Sequence, residues 1–247
     1  MINRRAFLKL AGIAAVMPWG CARWHAEPAG VLLNDVHSGL NPTTVRDVIS
    51  VRSVQDIRRV VERAMREGRG VSVAGGRHAM GGQQFGTDTL HLDMRSFNRV
   101  LNFDSGSGLV EVEAGIQWPE LIEATLKLQQ GAQQQWGIAQ KQTGADRLSM
   151  GGCLSANIHG RGLRLKPFVG DIESFKLVSA DGQVMSCSRS QNSELFKLAI
   201  GGYGLFGVVS SVTVRLMPRQ KIQRVVELVQ IDDVMQRFDQ RIAEGFL

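Results

Sequence analysis

Val71-Ser72-Val73-Ala74-Gly75-Gly76-Arg77-His78-Ala79-Met80-Gly81-Gly82-Gln83 is the stretch on which the fold turns. Val71–Ala74 reads as a short buried strand running into glycines. Glycine adopts positive φ at little cost and lets backbone approach a ligand closely. Successive backbone N–H groups can then form an anion-binding nest. Arg77 adds positive charge. These residues suit a loop that cradles phosphate. A glycine-rich hairpin turn would use the same residues, and the loop alone leaves both readings open.

Two further loops follow. Gln142–Gly160 is glycine-rich and poor in charge over nearly twenty positions, within an irregular region expected over 137–170. A surface loop of that length is uncommon unless it wraps something. Its small side chains leave room for a flat ligand, and Ser149, Ser155, Asn157 and His159 offer hydrogen bonds. The third loop, Gly201-Gly202-Tyr203-Gly204-Leu205-Phe206-Gly207, contains a GxGxxG spacing. The dinucleotide fingerprint follows a strand and opens a helix. Here a helix is expected before the loop and a strand after it, so a nicotinamide site is rejected.

Around these loops the periodicity predicts alternating elements. Residues 28–50 read as an extended lead-in with a turn at Asn41-Pro42-Thr43. Ser53, with Asp56 three residues on, starts a helix carrying Val54, Ile57, Val61, Ala64 and Met65 inward and closed by Gly68. Strands are expected at Leu90–Met94, Val110–Ala114, Ser174–Ser179, Gln183–Ser186 and Val208–Leu216. Helices are expected from Trp118 to about Gln130 and near Ser193–Ile200. Val225–Ile231 reads as a further strand and Asp232–Glu244 as a helix. Helices and strands that do not strictly alternate argue an α+β fold.

The three loops, in this order, resemble the PCMH-type FAD-binding domain of the vanillyl-alcohol oxidase family. The resemblance covers roughly residues 42–218 and extends to its aldonolactone and alditol oxidases and to decaprenylphosphoryl-ribose oxidase. It implies a domain of two small α/β subdomains over 28–218, with 219–247 as the start of an incomplete C-terminal substrate domain. It implies FAD as cofactor, with Ala74 to Gln84 at the pyrophosphate. Gly144, Ser149, Met150, Gly151, Gly152, Ala156, Asn157, His159 and Gly160 fall on positions lining the isoalloxazine and pyrophosphate. Val208 or Val209 falls on the adenine side. His78 matches a histidine that many members bond to the flavin 8α-methyl group; its alternative is a hydrogen bond within the turn. Ala79 departs from the commoner serine. The implied reaction is hydride transfer from an alcohol carbon, sugar-like or lactone-like, to flavin N5, with oxygen or another acceptor reoxidising it. The base belongs to the substrate domain in this family, and no catalytic residue is assigned here. The alternatives are a flavin-binding fragment or subunit without turnover of its own, and an exported protein binding another anionic ligand.

The N-terminus reads as an address. Arg4-Arg5-Ala6-Phe7-Leu8-Lys9 resembles a twin-arginine export signal. Leu10–Val16 is too short an apolar stretch to span a bilayer. Residues 1–27 are therefore expected to be a signal peptide cut near Ala22 or Ala26, leading to the periplasm or beyond. Lipidation at Cys21 is the variant, although Trp19 stands where a small residue is preferred. That route carries folded proteins, which suits a cofactor loaded before export. The formal net charge of +6 drops to +3 without this segment, leaving 25 basic and 22 acidic residues. No later stretch combines Lys and Arg with aromatics, so no nucleic-acid partner is expected. Three scattered cysteines and five histidines without ligand spacing suggest no metal site.

Overall fold

The computed structural model describes residues 30–142, 144–162 and 165–246. The expected export signal and Cys21 lie outside the described residues. Strands β1 (Val31–Leu33), β2 (Thr43–Val45) and β3 (Asp47–Ser50) precede helix α1 (Val54–Glu67). Then come β4 (Val71–Ala74), β5 (Leu90–Asp93), β6 (Val100–Asp104), β7 (Leu109–Glu113), α2 (Trp118–Leu128) and β8 (Trp136–Gly137). A short helix α3 (Met150–Ala156) leads to β9 (Ile172–Val178), β10 (Val184–Ser188), α4 (Ser193–Ala199), β11 (Val208–Arg215), β12 (Met217–Pro218) and α5 (Val234–Ala243).

Two sheets organise the fold. The smaller is parallel in the order β3-β5-β4, with α1 making the crossover from β3 to β4. The larger is antiparallel in the order β10-β9-β11-β7-β6. This is an α+β arrangement of two small units joined by one continuous core. Helix α1 forms as its sequence dictates. The Ser53 hydroxyl accepts from the Asp56 amide at its start, and Gly68 closes it in the left-handed region at φ 63°. Ile57, Val60, Val61 and Ala64 form the buried face. Each buried Val or Ile there contributes about 1.5–3 kcal/mol. Met65, expected inward, is exposed, because the buried stripe passes through Val60 and Ala64 instead.

β11 is the central strand of the larger sheet, hydrogen-bonded to β9 on one side and β7 on the other. Its residues Val208 to Val212 are all buried, as is Val214. Below the sheets Trp118 and Phe168 meet edge to face with ring centroids 5.8 Å apart.

Three further expectations are corrected. The lead-in at 28–50 is not merely extended: β1 pairs with β2, and β3 joins the parallel sheet. The region 137–170 is not irregular throughout, since Ser149 caps α3 and Asn157 ends it at φ 44°. Gly151 and Gly152 hide that helix from propensity, because glycine costs about 1 kcal/mol in a helix. Gly151 is set by packing: a Cβ there would lie 3.0 Å from the Cβ of Ala114. Val225–Ile231 is not a strand. Residues 219–230 carry no regular structure and are exposed, and Ile231–Asp233 forms a 3-10 turn. An apolar run becomes a strand only beside a partner edge.

Candidate functional site

The ends of both sheets converge on a cavity of about 520 Å³. The turn after β4 contributes Ala74, Gly75, Gly76, Arg77, His78 and Ala79, with Gln83 further on. The α3 segment contributes Leu148, Ser149, Gly151, Gly152, Cys153 and Ala156. The loop between α4 and β11 contributes Tyr203, Gly204 and Leu205, and β11 itself contributes Val208 and Val209. The three loops singled out in the sequence thus form one wall. The GxGxxG spacing does follow a helix and precede a strand, which is the reverse of a dinucleotide fingerprint.

Glycine is required where the first two loops meet. A Cβ on Gly75 would fall onto the Ser149 hydroxyl, and one on Gly76 onto the Arg147 carbonyl. Arg77 adopts φ 57°, a left-handed conformation unusual for a side chain of its size. That turn leaves its Nε buried without a hydrogen-bond partner in the protein. Gln84 also lines the cavity, and both its amide atoms are buried and unpartnered. Buried polar groups normally find partners. A cavity walled by Gly, Ala, Val and Leu, with an unpaired guanidinium nitrogen and an unpaired amide, fits a large ligand that is flat and apolar in part and anionic in part. FAD meets that description, and these residues fit it.

His78 stands in the cavity wall, half-buried. Its Nδ1 is hydrogen-bonded to Nε2 of His37 at 2.5 Å, with ring centroids 4.6 Å apart. Burial, followed by the neighbouring His37, pushes its pKa below the ordinary 6.5. The ring is therefore neutral at pH 7. Behind the loop, His91 on β5 is 1% exposed and hydrogen-bonded through Nδ1 to the Ser72 hydroxyl at 2.8 Å. Burial draws its pKa down to about 4. The Cys153 thiol is pushed up to about 12 by burial, so it supplies no thiolate to the cavity.

Other expected site residues lie off the cavity wall. Met80 is exposed, and its carbonyl accepts from Asn41 Nδ2 at 2.8 Å. Gly81, Gly82 and Gly144 do not line the cavity. Met150, the first residue of α3, is fully buried in the core. Asn157 uses its Oδ1 to accept from the Val169 amide at 3.0 Å. His159 is exposed, with Nδ1 at 2.9 Å from the Gly160 carbonyl, and the Gly160 amide donates to Gln140 Oε1 at 3.2 Å. Sequence reasoning missed His37, and it gave no role to Cys153, Tyr203 or Leu205, although these three lie in loops it singled out. Tertiary folding brings His37 against His78 and the other three into the cavity wall.

Residues 46–188 match the family model described as the FAD binding domain. The chain belongs to this family. This FAD-binding domain has FAD as its cofactor, and the matched span includes the first two loops but neither His37 nor the third loop. It is 31% identical over 181 residues to an uncharacterized oxidoreductase of the fasciation locus of Rhodococcoides fascians, covering 73% of this chain and 40% of the relative. It is 29% identical over 209 residues to decaprenylphosphoryl-beta-D-ribose oxidase of Mycolicibacterium smegmatis, covering 83% of this chain and 43% of the relative. It is 27% identical over 194 residues to bovine (Bos taurus) L-gulonolactone oxidase, covering 78% and 42%. The chain thus spans about 40% of the length of these relatives. Among solved structures, an alkyldihydroxyacetonephosphate synthase shares the fold at a TM-score of 0.60 and 19% identity, over 69% of this chain and 31% of that one.

Proposed function

We propose that this chain is the flavin-holding part of an FAD-dependent oxidoreductase acting on an alcohol carbon of a sugar-like or lactone-like small molecule, with His78 bonded covalently to the flavin. The observation that carries the reading is the place of the His78 ring in the wall of a cavity that fits FAD. A neutral imidazole keeps a lone pair available for bond formation. Similarity to decaprenylphosphoryl-beta-D-ribose oxidase and L-gulonolactone oxidase supports the substrate class.

The chain's residues divide the work. Backbone around Gly75 and Gly76, with Arg77, holds the pyrophosphate. Gly151, Gly152 and Ala156 leave room for a flat ring, and Val208 and Val209 close the wall against water. When bound, FAD supplies the electron sink that accepts hydride from the substrate. The base for the substrate hydroxyl is assigned to a substrate domain that residues 219–247 begin. Exposed Val226, Leu228 and Ile231 support that division, since apolar surface of this kind ordinarily packs against a partner. The same exposure favours a second reading, a flavin-binding subunit that turns over only with its partner domain. We also propose export through the twin-arginine route, which Arg4-Arg5 supports. Replacing both arginines by lysine should retain the protein in the cytoplasm; unaltered secretion would refute the route.

The test of the covalent reading is acid precipitation followed by flavin fluorescence of the polypeptide. Fluorescence should stay with the protein and vanish in His78→Ala, which should still bind FAD reversibly. Complete release of flavin from the unaltered protein would overturn it.

A further inference from the structure

In the third loop Gly201, Tyr203, Gly204 and Gly207 all adopt positive φ. Glycine takes that conformation at little cost, whereas Tyr203 takes it at φ 51° with a large side chain. Tyr203 is also the chain's one tyrosine. The loop is pinned to α3 on either side of this strain. The Gly201 amide donates to the Leu154 carbonyl and the Tyr203 amide to the Ser155 carbonyl, both at 3.0 Å. Strained backbone persists where the surroundings hold it, and it gathers at ligand clamps. The Tyr203 ring is not spent on the core: the residue lines the cavity and is 63% exposed.

Helix α3 sets where along the cavity Tyr203 stands. His78 belongs to the N-terminal end of α3. A Cβ on Gly75 would fall onto the Ser149 hydroxyl that caps the helix, and one on Gly76 would lie 2.7 Å from His78 Cδ2. Tyr203 belongs to the opposite end, bonded to Ser155 one residue before the last of the helix. The seven residues of α3 separate the two by roughly 10 Å.

We infer that Tyr203 stacks on the adenine of FAD and makes the site select FAD over FMN. The inference rests on the reading above that bonds the isoalloxazine at His78, which leaves adenine as the flat group for the far end. The neighbours of Tyr203 on the wall agree. Leu205, Val208 and Val209 carry only apolar side chains. These suit the face of a purine, whereas the pyrimidine edge of the isoalloxazine carries N–H and carbonyl groups that need polar partners. A tyrosine on a fixed backbone loses little conformational freedom when its ring is covered.

The test compares FAD with FMN, which lacks the adenine. The full chain is prepared flavin-free and carries His78→Ala, so that binding stays reversible, and each flavin is titrated by calorimetry. Tyr203→Ala should weaken FAD roughly 10-fold, in the range of stacking between a base and an aromatic ring, and leave FMN unchanged. Tyr203→Phe keeps the ring and should bind FAD as before. Tyr203→Gly loses the ring but relieves the backbone, so the ligand-free chain should melt no lower while its FAD affinity falls. A lower melting temperature in Tyr203→Gly would make the residue a brace of its loop, and unchanged FAD affinity in Tyr203→Ala would make it a bystander; either result overturns the inference. Equal weakening of FMN and FAD in Tyr203→Ala would overturn it as well, because the ring would then touch the isoalloxazine. Complete release of flavin by acid from the chain with His78 intact would overturn the covalent reading alone, and the contrast between FAD and FMN would still decide the role of Tyr203.

Discussion

Residues 74–83 and residues 144–160 are both glycine-rich, yet they meet the cavity in different ways. The first lies along the wall almost continuously from Ala74 to Ala79. The second enters as a helix. Ser149, Gly151, Gly152, Cys153, Ser155 and Ala156 line the cavity, while Met150 and Leu154 point into the core. The flanks at Gly144 and at Asn157, His159 and Gly160 stay off the wall. A loop exposes its backbone to the ligand, whereas a helix spends its backbone on itself and offers only one face. Glycine therefore serves different ends: in the first loop it admits the neighbouring loop, and in the second it lets α3 lie against β7.

The comparison can be broken most severely at Gly75. Gly75→Val would drive side chain into Ser149 and pry the two loops apart. FAD affinity should fall by roughly 100-fold, about 3 kcal/mol, as measured by flavin retention and titration. A variant that purifies with its full complement of flavin would show that the loops need not touch.

Acid should act on the first loop through its floor. His91 is neutral in the fold, with a pKa of about 4 against an ordinary 6.5. The unfolded chain takes up the proton first as pH falls. Its stabilising effect is thus complete above pH 6.5 and is lost as pH drops toward 4, by on the order of 3 kcal/mol. Urea unfolding across that range should show the loss, and His91→Gln should flatten it. An equal loss in the variant would assign the acid sensitivity elsewhere.

The smallest effect is expected on the second loop's flank. His159→Ala should change stability by no more than about 0.5 kcal/mol and leave FAD retention intact. A flavin-free His159→Ala protein would mean that the flank closes over the cofactor.

Much of this architecture was legible because its signals are local. Ser53, Asp56 and Gly68 mark the ends of α1 whatever surrounds them. Val208–Leu216 and the turn at 180–182 read correctly for the same reason. The order of helix, glycines and strand around Gly202–Gly207 was enough to reject a nicotinamide site. What escaped depends on tertiary partners. Val225–Ile231 has a composition close to that of β11, but β11 has neighbours on both edges and 225–231 has none. Helix α3 was concealed by Gly151 and Gly152, the first of which packing against Ala114 demands. His37 sits 41 residues before His78, and nothing in either neighbourhood links them.

One strand belongs to both halves of this account. Val208 and Val209 line the cavity and also begin β11, the middle strand of the five. Cofactor occupancy and global unfolding are therefore thermodynamically linked: whatever binds the folded wall withdraws population from the unfolded chain. Reversible loading should register as a rise in melting temperature with FAD concentration, so a thermal scan can report on flavin without any substrate in hand.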